Sequence, residues 1–403
     1  MRLAVFRLAI IVGALALAGC ATIMRNPVPS ASLSLAAEVP GLSGVRAFAD
    51  ENPGDIAADL RRRAPNMPRL AQAAQQVGGR PVVEILALSG GGADGAFGAG
   101  LLSGWSEAGT RPQFEIVTGV SAGAIIAPFA FLGSRYDRQL KEIWTEYRTN
   151  ELIMAQILPG LLGGSSLADT APLAELIEKY VDRRMLAEIA REYRRGRMLL
   201  VLTTNLDAQR PVVWNMGEIA ASRHKDAPEL FRKVILASAA IPGAFTPVSI
   251  PVAVDGKSYD ELHVDGGTTM EVFVSPFRAP LKAFDKLYPR PPLRRIYIVK
   301  NGRMTPEYKP VQAQTIPIVS SAISTLLLNQ SNDEIYRIYR EARDGGAEFR
   351  LAAIPASFDA PRKEVFDPVY QRALFDAGYE IASSGNHWLS EPPDVRPRHV
   401  AGR

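Results

Sequence analysis

Two short stretches of the sequence carry residues that could do chemistry together. Ser121 lies in Thr118-Gly119-Val120-Ser121-Ala122-Gly123-Ala124, a G-x-S-x-G pentapeptide, and Asp265 lies in His263-Val264-Asp265-Gly266-Gly267. A serine hydroxyl attacks an ester carbonyl when its oxygen stands clear of the backbone and a base is near to take its proton. Glycines at 119 and 123 leave room for a turn too tight for Cβ atoms. The apolar run Phe114 to Val117 reads as a strand and Ala122 to Leu132 as a helix, so the serine sits on a strand-to-helix turn. The helix start directs N–H groups and the positive end of its dipole at the place where an oxyanion would develop, and the N–H of Ala122 is the nearest donor.

The base is less plainly marked. The chain has four histidines, His224, His263, His387 and His399, none within a pattern that identifies a catalytic loop. Asp265 ends a short strand pattern from Tyr259 to Val264, and two glycines clear space after it. A carboxylate serves directly as a general base where a dry pocket lifts its proton affinity toward working pH. An Asp-Gly-Gly sequence is also an ordinary turn, and a relay through His263 or His387 is the competing arrangement.

A glycine loop precedes both stretches. Pro81 to Leu88 has the pattern of a buried strand and runs into Ser89-Gly90-Gly91-Gly92-Ala93-Asp94-Gly95, followed by a helix with Phe97, Leu101, Leu102 and Trp105 on one face. Gly90, Gly92 and Gly95 fit G-x-G-x-x-G, which also suits a dinucleotide phosphate loop. That use requires an acidic residue at the end of the next strand, and Thr118 to Ser121 stand there instead. Backbone N–H groups offered to an oxyanion are the better use.

These segments, in this order, resemble the three signatures of the patatin-like phospholipase family: Gly90 to Gly95, Gly119 to Gly123, and Asp265 to Gly267. Ala237 to Phe245 is similar to the segment that precedes the family's aspartate, so the resemblance covers residues 82–300. It implies an α/β fold of three α/β/α layers with a mainly parallel central sheet. It also implies a Ser–Asp dyad with Ser121 as nucleophile, Asp265 as base and Gly90, Gly91 and Gly92 as the oxyanion loop, acting on lipid or other acyl-ester substrates through an acyl-enzyme. The alternative is a non-catalytic lipoprotein of the same fold that binds acyl chains or a partner protein. Asp94 departs from the pattern, since many members have a basic residue there; an aspartate at that point is expected to cap the following helix.

Composition sets the frame. The 403 residues are 47% hydrophobic and 22% charged with a formal net charge of +4, and the arginines are scattered among acids, which argues against a nucleic-acid partner. Arg2 and Arg7, the apolar run Leu8 to Ala18, then Gly19 and Cys20, read as an export signal too short to span a bilayer. Leu17 to Cys20 resembles a bacterial lipobox, which makes Cys20 the expected lipidated residue and membrane anchor. Ala21 and Thr22 lack the aspartate of an inner-membrane retention signal, so the outer membrane facing the periplasm is the expected location. Cys20 is the only cysteine and no His/Cys cluster has ligand spacing, so neither metal nor cofactor is expected.

The expected organisation is a signal at 1–20, a tether and extension at 21–80, a catalytic core at 81–305 and a helical extension at 306–403. Met24 to Pro40 reads as tether and Asp55 to Gln76 as short helices. Pro159 to Gly164 reads as a lid, an acyl-binding wall or a buried connector. The apolar faces of two expected helices, Ile316 to Leu328 and Asp333 to Arg343, are assigned to the core.

Overall fold

The computed structural model describes residues 25–51, 75–155, 165–275, 280–385 and 388–393. Cys20 and its signal, nearly all of Asp55 to Gln76, Pro159 to Gly164, His387 and His399 lie outside the described residues.

The strands that matter here are β1 (Arg46–Phe48), β2 (Arg80–Leu88), β3 (Ile116–Val120), β4 (Met198–Asn205), β5 (Arg210–Asn215), β6 (Val248–Val254), β7 (Lys257–Asp265), β8 (Leu293–Lys300) and β9 (Glu348–Ala353). The neighbours β9, β8, β2, β3 and β4 run parallel. Antiparallel β5 and then β1 extend the sheet beyond β4. The principal helices are α1 (Gly95–Glu107), α2 (Ala122–Leu132), α3 (Asp137–Thr145), α4 (Ala171–Tyr180), α5 (Arg183–Arg194), α6 (Ala227–Ser238), α7 (Thr315–Gly345) and α8 (Pro368–Ser383).

Alternation along β2 shows why both faces of the sheet are covered. Leu86 and Leu88 join a core with residues of α1, α2, α3, α6 and α8, whereas Val83, Ile85 and Ala87 join a second core with Ile335, Ile338 and Ala342 of α7. A parallel strand buried on both sides is apolar on both faces, which accounts for the hydrophobic runs Ile85 to Leu88 of β2 and Met198 to Leu202 of β4. The result is a three-layer α/β/α arrangement about a mostly parallel sheet, as the resemblance implies.

Two differences from the sequence-based expectations have physical causes. Residues 25–51, expected as tether as far as Pro40 and as extension beyond it, pack on the sheet: β1 pairs with β5, and Ala37, Val39, Leu42, Val45 and Phe48 are buried. The second concerns the two helices expected at Ile316 to Leu328 and Asp333 to Arg343. They are one helix, α7, closed at Gly346 in the left-handed conformation (φ 69°). Only its second half enters the core; Ile318, Val319, Ile323 and Leu326 are exposed.

Candidate active site

The strand register itself brings the two reactive stretches together. Val120, at the end of β3, lies opposite Leu202 of β4, and Asp265, at the end of β7, lies opposite the next residue, Thr203. Strands β3 and β7 therefore meet end to end along one edge of β4, and the residues at the junction are Ser121 and Asp265.

At that junction Ser121 has φ 52° and ψ −120°, a backbone conformation costly for a residue with a Cβ. Its N–H donates to Ser238 Oγ at 3.0 Å, and the Ser238 hydroxyl donates to the Leu202 carbonyl at 2.6 Å. Close approach explains the flanking glycines. A Cβ at Gly123 would sit 2.3 Å from the Leu88 carbonyl oxygen, and one at Gly119 would sit 2.4 Å from the Gly123 carbonyl oxygen.

The Ser121 hydroxyl donates to Asp265 Oδ2 at 2.6 Å. Gly267 donates its N–H to Asp265 Oδ1 at 2.7 Å, and the Asp265 N–H donates to the Ala240 carbonyl at 2.9 Å. Both Ser121 and Asp265 are buried. Burial pushes the Asp265 carboxyl up to about 7, against the opposing pull of the bonds from Ser121 and Gly267.

The glycine loop lies beside them. Gly91 is held against Asn301, where a Cβ would come 2.0 Å from the Asn301 carbonyl oxygen, and Gly92 has φ 55° with open space around it. Asn301 in turn receives and gives hydrogen bonds: its Oδ1 accepts from the Gly98 N–H at 3.1 Å, its N–H donates to Ser89 Oγ at 2.9 Å and its side-chain amide donates to the Ser89 carbonyl at 2.8 Å. Among the described residues no acceptor takes the N–H of Gly91, Gly92 or Ala122, and all three residues lie around Ser121. Gly90 differs from its expected part in the oxyanion loop. Its N–H donates to the Glu271 carbonyl at 3.2 Å, so that donor is already committed. The remaining motif glycines are packing positions: Gly95 abuts Trp144, Gly266 abuts the Leu202 carbonyl, and Gly267 abuts Glu271.

Asp94 occupies the N-cap position of α1 without capping it. Its Oδ1 instead accepts from the Tyr370 hydroxyl at 2.9 Å and faces Arg362 at 3.8 Å. The cap expected from sequence is thus replaced by contacts to the C-terminal segment, which no local pattern could reveal.

His263 is fully buried and turned away from the junction. Trp214 Nε1 donates to Thr203 Oγ1 at 2.8 Å, Thr203 lies 2.9 Å from His263 Nδ1, and His263 Nε2 lies 3.2 Å from Glu261. The order of donors places the ring proton on Nε2. Arg46 closes the chain on Glu261. Both ring nitrogens are occupied by this chain, and neither touches Ser121 or Asp265. His224 is bonded to the backbone N–H of Asp226 at 3.4 Å, on the surface.

Sequence reasoning missed a second buried carboxyl. Glu271 lies against Gly90 and Gly267, either of which would drive a Cβ into its carboxylate, at 2.4 and 2.3 Å. Burial, then Asp265 and Glu334, push the Glu271 carboxyl up to about 8. Glu334 accepts from the N–H groups of Glu271 and Val272 at 2.9 and 3.0 Å, and burial lowers Lys300 to about 8 close by. The spacing of Glu271 from Asp265 was available in the sequence, but nothing in its type distinguished it from a surface acid.

Above the junction opens a cleft of 1280 Å³ that contains Ser121 and Asp265. One wall is Ile241, Pro242 and Phe245; the other is Ile323, Leu326 and Leu327 of α7. A narrow apolar slot of 40 Å³ leads off beside Ser121 between Ile125, Trp144, Leu173 and Phe245. Among the described residues no group of three or more His, Cys, Asp or Glu side chains is placed to hold a metal ion.

Residues 86–278 match the family described as Patatin-like phospholipase. The chain carries a patatin-like phospholipase domain. That domain holds both Ser121 and Asp265, together with every glycine of the three motifs. The patatin-like family is one of lipid acyl hydrolases, which makes lipids the substrate class it implies. No curated protein matches the sequence. Among solved structures, VipD from Legionella pneumophila is similar at 10% identity with a TM-score of 0.36, over 75% of this chain and 66% of that one. The chain thus spans just under two thirds of VipD's length.

Proposed function

We propose that the protein is a serine acyl hydrolase that cleaves fatty-acyl esters of lipids through a Ser121–Asp265 dyad and a covalent acyl-enzyme. The observation that carries this is the 2.6 Å bond from the Ser121 hydroxyl to Asp265, in a buried site at the start of α2. Asp265 takes the Ser121 proton as Oγ bonds to the acyl carbon, and the N–H groups of Gly91, Gly92 and Ala122 stabilise the oxyanion. Asp265 then returns the proton to the departing alcohol. Water, deprotonated by the same carboxylate, attacks the acyl-serine and frees the fatty acid, restoring the Ser121 hydroxyl. The apolar side chains of the 1280 Å³ cleft, Ile241, Phe245, Ile323, Leu326 and Leu327, suit an apolar acyl chain. Lipidation of Cys20 and an outer-membrane location facing the periplasm belong to this proposal.

Steady-state hydrolysis of a p-nitrophenyl acyl ester tests the reaction. The proposal expects turnover that falls by about a thousandfold or more in Ser121→Ala and in Asp265→Asn. A folded wild-type protein without esterase activity that still binds fatty acid contradicts it and points to the binding-module alternative.

A further inference from the structure

The first half of α7 is an anomaly for a helix in water. No residue from Pro310 to Asn332 is charged, yet Ile318, Val319, Ile323 and Leu326 are between 38% and 69% exposed. An exposed apolar stretch of this kind on a soluble domain marks a contact surface. The core accounts only for the second half, through Ile335, Ile338 and Ala342. Upstream, Tyr308 and Val311 extend the exposed apolar surface.

Three observations say what covers it. Ile323, Leu326 and Leu327 wall the cleft that holds Ser121, so the exposed surface runs without interruption into the site. The rim of that cleft also carries Arg303, Arg362 and Lys363, suited to anionic head groups, against the acids Glu364 and Asp94, the latter 3.8 Å from Arg362. The third observation is the position of Arg25, close in sequence to the lipid anchor that the proposed function places at Cys20. Arg25, the first described residue, pairs with Asp207 at 2.7 Å, just past the carboxyl end of β4 and so at the end of the sheet where Ser121 lies. Cys20 is five residues earlier, within about 17 Å of extended chain.

We propose that the uncharged half of α7 is a docking surface for a lipid bilayer, which seats the cleft on the membrane and passes lipid along its wall to Ser121. No helix among the described residues is long and apolar enough to cross a membrane, so the helix lies in the interface. The proposal takes its occupant from the lipid substrate class of the proposed function but does not depend on the chemistry of Ser121.

The test uses the full chain with Cys20→Ala and a single new cysteine bearing an environment-sensitive dye, at Val319→Cys or at Asp344→Cys on the far end of α7. On mixing with vesicles of phosphatidylcholine and phosphatidylglycerol in equal parts, the dye at 319 shifts to the blue and brightens several-fold, while the dye at 344 does not. Ile318→Asp with Ala322→Asp, both exposed and outside the cleft wall, lowers hydrolysis of vesicle-borne lipid by about tenfold and leaves a soluble short-chain ester unaffected. A dye at 319 that ignores vesicles overturns the proposal, as does one that shifts on raising protein concentration alone, which assigns the surface to a second copy of the chain. The dye reads docking even in a protein without esterase activity, so failure of the hydrolase proposal would be seen separately.

Discussion

Gly267 holds one carboxylate oxygen of Asp265, at 2.7 Å from Oδ1, and so leaves Oδ2 alone to face Ser121. The carboxylate is thereby fixed in orientation by backbone, and burial rather than a charged neighbour is the main influence on its proton affinity.

The pH dependence of turnover follows from this. Asp265 acts as a base only when ionised, and its carboxyl is pushed up to about 7. The account expects kcat/KM on a soluble ester to rise with pH through about 7 and then level, without a second ionisation from a histidine. A pH–rate profile checks this.

Glu271 has a stability signature. Its carboxyl is raised to about 8 in the folded protein, so the folded state keeps a proton that the unfolded chain releases near the ordinary glutamate value. That contribution to stability is complete below the unfolded value and is lost as pH rises toward about 8. Glu271→Gln is therefore expected to stabilise the protein by about 1–2 kcal/mol at alkaline pH and to have little effect at about pH 5, as read by thermal unfolding at the two pH values.

His263 separates structural from catalytic need. Its ring bridges Thr203 and Glu261 inside the core and touches neither Ser121 nor Asp265. His263→Ala leaves buried partners unsatisfied and is expected to cost about 2–4 kcal/mol of stability while kcat changes by less than about threefold. Denaturant unfolding and kinetics on the same sample measure both.

Gly91 tests the glycine loop. A Cβ there would come 2.0 Å from the Asn301 carbonyl oxygen, at φ 157°. Gly91→Ala must displace the loop, and with it the N–H groups of Gly91 and Gly92 beside Ser121. Loss of one such donor typically costs a factor of about a hundred to a thousand in kcat, and a similar loss is expected here with KM much less affected.

Much of this site was legible because its pieces are local. The glycines of the strand-to-helix turn, the helix beginning at Ala122 and the aspartate ending β7 each leave a mark within a few residues. What could not be read depends on partners distant in the chain. Ser238 supports Ser121 across the sheet end, Glu271 commits the Gly90 N–H, and Tyr370 takes the side chain of Asp94 away from its helix cap. The first half of α7 has the periodic apolar pattern of a core helix, yet Ile318, Val319, Ile323 and Leu326 stay exposed. Likewise β1 is too short to stand out in sequence and exists because β5 offers it an edge.

The most direct test of the central claim is labelling with a fluorophosphonate, which bonds covalently to an activated serine. The account expects one adduct, located at Ser121 by peptide mass spectrometry, absent in Ser121→Ala, strongly slowed in Asp265→Asn and retained in His263→Ala. An adduct at another residue, or labelling that survives Ser121→Ala, would contradict the dyad.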